Sequence, residues 1–115
     1  MTNDDVSRDR TAYLRQLALD SLNSYGGGFA DLERVDRDLK SIIRSLNDVA
    51  DPSWTSSLLR LWGQLEIIYA LALDEERFRL SEEDEAYVQG VIAELRAKLR
   101  GYNLPPVRDT DEETR

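Results

Sequence analysis

A chain of 115 residues, 41% hydrophobic and 33% charged, can bury one modest core and leaves no room for a second domain. It holds no cysteine and no histidine, which excludes disulfides, thiolate metal sites, cysteine nucleophiles and the commonest general base and metal ligand. A net charge of −8 argues against nucleic acid or an anionic membrane as a direct partner, since both need a basic face, and suits a basic protein partner.

The chain opens Met1-Thr2-Asn3-Asp4-Asp5, without the basic start and apolar run of a secretory signal. The first helical segment is expected over 7–25, where Leu14, Leu17, Ala18, Leu22 and Tyr25 recur at three- and four-residue spacing. Gly26-Gly27-Gly28 ends it. No strand precedes these glycines and no Lys-Ser or Lys-Thr follows, so they read as a turn between helices and not as a phosphate loop. A second helix is expected from Phe29 or Asp31 to Asn47, with Leu32, Val35, Leu39, Ile42, Ile43 and Leu46 as its stripe. Asp36 and Lys40 are then expected on the outer surface, spaced as a helical ion pair.

Asp51 before Pro52 marks the start of a third helix, a capping residue followed by a proline at the first helical position. It is expected to run to Asp74 and to be the hydrophobic centre. Trp54, Leu58, Leu61, Trp62, Leu65, Ile68, Tyr69 and Ala72 form a broad stripe, and Leu59, Ile67, Ala70, Leu71 and Leu73 widen it. A helix apolar on most sides is packed by more than one neighbour, and Gly63 offers a close approach. Trp62 reads as core, whereas Trp54, in the first turn, is a candidate interface anchor. The stretch 58–73 is broken by Arg60, Gln64 and Glu66 and is too short to span a bilayer. Cytoplasmic location is the resulting expectation. Ser81 with acids at 82–84 marks a fourth helix. Tyr87, Val88, Val91, Ile92, Leu95 and Leu99 form its stripe, and Gly101 follows its basic last turn. The fold class expected is all-α, an antiparallel up-down four-helix bundle over 1–102 with a disordered acidic tail over 103–115.

Two features bear on function. Glu66 lies inside the most apolar helix and must be hydrogen-bonded or reach the surface. It reads as a structural buried polar residue, held by a loop, a helix N-terminus or Tyr25. No Glu-x-x-His pair exists, and neither a metal nor a cofactor is expected. From Asp74 to Glu85 seven acids stand against Arg77 and Arg79, a local net charge of −5. Glu82 to Glu85 suit a helix N-terminus, but Asp74, Glu75 and Glu76 oppose the dipole at a helix C-terminus. Placement against local preference points to a role beyond the fold. Asp74, Glu75, Glu76, Glu82, Glu83 and Glu85 are therefore the expected partner-binding residues, with Asp36 and Asp38 in second place.

The run from Leu61 to Asp74, with Asp51-Pro52-Ser53-Trp54 before it, resembles small all-helical bacterial immunity proteins of contact-dependent and polymorphic toxin systems. The likeness extends over residues 12–100 and rests on a Trp, then Leu-Glu, then Tyr-Ala closing into an acidic turn. It implies a non-enzymatic protein that blocks a cognate toxin. Joined to the charge, it gives an acidic monomer that neutralises a basic toxin, with a nuclease in view. The alternative is a self-associating structural or regulatory module using Trp54 and leftover apolar surface on the third helix.

Overall fold

Each periodic segment forms a helix in the computed structural model, which describes residues 3–76 and 79–104, with side chains from Val6 onward. The elements are α1 (Asn3–Asn23), α2 (Phe29–Leu46), α3 (Pro52–Asp74) and α4 (Glu82–Arg100), and no strand occurs among the described residues. α1 packs on α2 and α4, and α3 packs on the same two, while among the described residues the backbones of the diagonal pairs stay more than 8 Å apart. The helices thus enclose one core in a ring. Bonds between α2 and α3 run in reversed numerical order. Thr55 donates to the Asn47 side chain at 3.0 Å, Trp62 to the Asp36 carbonyl at 3.0 Å, and Tyr69 to Glu33 at 2.8 Å.

The helix starts follow their local chemistry. The Asp51 carboxylate accepts from Ser53 N at 3.0 Å, and the Ser81 hydroxyl accepts from Asp84 N at 3.0 Å. Such caps satisfy donors that the first helical turn leaves unpaired. α2 has no side-chain cap and begins at Gly28 with φ 97°. The core is built from Leu14, Ala18 and Leu22 of α1, Leu32, Val35, Leu39 and Leu46 of α2, Leu58, Leu61 and Leu65 of α3, and Val88, Ile92, Leu95 and Leu99 of α4.

The structure corrects several expectations drawn from periodicity. Leu17 and Tyr87 are exposed rather than in the core stripe. α3 is packed by two neighbours, but its outer side is bare: Leu59, Ile67, Leu71 and Leu73 are about half exposed. No helix uses Gly63, because a Cβ added there would meet nothing within 4 Å. Gly101 is right-handed at φ −81°, so the left-handed helix ending that a glycine after the last turn invites does not form. Of the expected tail, residues from 105 onward lie outside the described residues. Among the described residues no helix is long and apolar enough to cross a membrane.

Candidate functional site

α3 ends in the acidic turn. Glu75 N donates to the Leu71 carbonyl and Glu76 N to the Leu73 carbonyl, both at 3.0 Å. Glu76 closes the turn with φ 56°, the left-handed region where glycine is comfortable and a side chain costs on the order of 1 kcal/mol. Asp74, Glu75, Glu76, Glu82 and Glu83 are all exposed. The first three sit at the negative end of the α3 dipole, so their placement is unfavourable twice over, in charge and at Glu76 in backbone. Glu82 and Glu83 oppose nothing, since the α4 N-terminus welcomes acids.

Glu85 stands apart from this group. It is half-buried, accepts from Tyr25 Oη at 2.7 Å, and accepts from Gly28 N at 3.2 Å. Asp31 holds Gly26 N at 2.6 Å. The N–H groups of Gly26 and Gly28 in the glycine turn are therefore occupied by the chain's own carboxylates. The left-handed φ values of Gly27 and Gly28, 100° and 97°, let the backbone fold around Glu85. A Cβ on Gly27 would stand 3.2 Å from Glu85 Oε2. Burial, then the bond and charge of Glu85, push the Tyr25 hydroxyl well above its ordinary value. Tyr25 thus serves Glu85, not Glu66.

Glu66 instead faces a second acid. Asp36, expected on the surface, is 8% exposed, and its Oδ1 has no hydrogen-bond partner among the described residues. Burial, followed by the nearby Glu66 carboxylate, pushes the Asp36 carboxyl up from 3.8 to about 7, with the Lys40 charge and Trp62 acting in the opposite sense. Two carboxylates at a buried seam cannot both ionise cheaply. A proton held on Asp36 relieves that repulsion. Just outside, Tyr69 donates to Glu33 and stacks on Phe29 at 5.4 Å. The Glu33 bond, before burial, raises the Tyr69 hydroxyl. The adjoining α2–α3 groove, about 340 Å³, is lined by Lys40, Arg44, Asn47, Thr55, Leu59 and Trp62 among others and adds no further acid. Among the described residues no group of three acids could hold a metal ion. The burial of Asp36 was visible in its spacing, four after Leu32 and three before Leu39, on the core stripe itself.

Trp54 is not an exposed anchor. It is buried, donates Nε1–H to the Lys98 carbonyl at 3.0 Å, and stacks on Tyr102 with ring centroids 3.7 Å apart. The Tyr102 hydroxyl accepts from Asp51 N at 3.2 Å, and its carbonyl accepts from Arg15 at 3.0 Å. This pair closes one end of an open α3–α4 groove of about 890 Å³, also lined by Arg60, Gln64, Glu94 and Lys98. Asp38 is engaged by Ser21 at 3.0 Å and Arg34 at 3.5 Å, which ties α1 to α2. No family model, characterised protein or solved structure matches this chain.

Proposed function

We propose that this chain is a non-enzymatic acidic binding protein, an immunity partner that occludes a toxin domain with a basic surface. A nuclease fits that description, because its substrate is a polyanion and its binding face must be positive. The observation that carries the reading is the turn after α3. Asp74, Glu75 and Glu76 are exposed acids at the wrong end of a helix dipole, and Glu76 adds a left-handed backbone. A fold selected for stability alone would favour a basic or glycine residue there. Glu82 and Glu83, across the turn, extend the same charge. Glu85 supports the face from behind by fixing the glycine turn. Long-range steering by such a patch speeds encounter and weakens with salt.

Co-expression tests the biological reading. A toxin domain found encoded beside this gene, produced in cells that lack their own protection, should arrest growth, and this chain should restore it. Growth arrest that persists despite folded, abundant chain would contradict the immunity reading.

A further inference from the structure

We infer that the outer face of α3 is a two-fold interface, and that its occupant is a second copy of this chain. The observation is an apolar stripe on the side of α3 turned away from the core. Leu59 is 52%, Ile67 59% and Leu71 50% exposed. With Gly63 they recur every four residues, so they form a single ridge along the helix. Gly63 leaves a hollow in that ridge, since an added Cβ would meet nothing.

The part of the stripe from Gly63 to Leu71 is complementary to itself when two α3 helices cross in opposite directions with Ile67 on the axis. Residues equally far from 67 then face each other. Ile67 meets its own copy. Leu71 of one copy enters the hollow at Gly63 of the other, four residues away on each side. Arg60 of one copy meets Asp74 of the other, seven residues or about 10.5 Å from the axis on each side. Both are exposed. An isologous pair makes the off-axis contacts twice and the Ile67 contact once, and apolar contact at the centre with opposite charges at the rim is the usual anatomy of such a patch. The charge match selects a second copy over a basic partner for this stripe, because Arg60 flanks it. The inference goes beyond the proposed function and does not depend on it. Asp74 belongs to both surfaces, so a basic partner and a second copy exclude each other there.

Sedimentation of the full chain between about 10 and 500 μM, the range of a weak interface, tests the assignment. The weight-average mass should rise from 13.2 kDa towards twice that value. Ile67→Asp, an exposed substitution checked for helicity by circular dichroism, should abolish the rise, and so should Leu71→Asp. Arg60→Asp and Asp74→Arg should each weaken association about tenfold, and the two together should recover most of the loss. A wild-type monomer at every concentration would overturn the inference. So would a dimer untouched by Ile67→Asp, or a charge swap that does not recover.

Discussion

Asp36 shows how one residue sets a pH response. Its carboxyl sits near 7 when folded, against about 3.8 when free, so between those values the folded state holds a proton that the unfolded state has lost. Stability from this group is therefore greatest below the unfolded value and falls as pH rises to about 7. Asp36→Asn keeps the shape and removes the titration. It should stabilise the fold by about 1–3 kcal/mol at pH 8 and change little at pH 4, as read by urea denaturation at both values. An equal effect at the two pH values would show that Asp36 does not share its proton with the seam. Glu76 offers a second test. Glycine at a left-handed position removes the Cβ strain, so Glu76→Gly should raise stability by up to about 1 kcal/mol. A loss of stability would mean the side chain holds the turn together.

At the scale of elements, the starts of α3 and α4 were legible because caps are local. Asp51-Pro52 and Ser81 with Asp84 act within three residues, and the structure uses both as spacing suggests. α2 was legible through its strict stripe. What could not be read was which side of a broadly apolar helix would stay bare. α3 has apolar residues around most of its circumference, and only the placement of α2 and α4 leaves Leu59, Ile67 and Leu71 outside. Trp54 was misplaced for the same reason: its partners, Tyr102 and the Lys98 carbonyl, lie more than forty residues away. The glycine turn likewise gains its anion from Glu85, 57 residues from Gly28. Glu85→Ala removes the acceptor for both Tyr25 and Gly28 and should cost about 1–3 kcal/mol. Tyr25→Phe should cost less, about 1 kcal/mol, since Glu85 keeps Gly28. If Glu85→Ala left the melting temperature unchanged, the turn would have to be held by Asp31 alone.

Across the whole molecule, buried leucines and valines from all four helices supply the driving force, and the polar seams decide how the surfaces differ. The Ser21, Arg34 and Asp38 network ties α1 to α2, and the Asp36–Glu66 seam lies between α2 and α3. Neither reaches the turn between α3 and α4, where exposed acids gather against the α3 dipole. The concentration of charge there was plain in the sequence. Its division into an outward group and an inward Glu85 was not, because that depends on where Tyr25 arrives. The role proposed for Asp74, Glu75 and Glu76 is to meet a basic partner, at a cost to the fold. The most direct test is titration of a basic toxin domain, one that this chain neutralises in co-expression, with wild type and with the Asp74→Ala, Glu75→Ala, Glu76→Ala triple variant, at low and high salt and at nanomolar concentration. The triple variant should bind at least tenfold more weakly and with a shallower salt dependence. Unchanged affinity and unchanged salt dependence would contradict it.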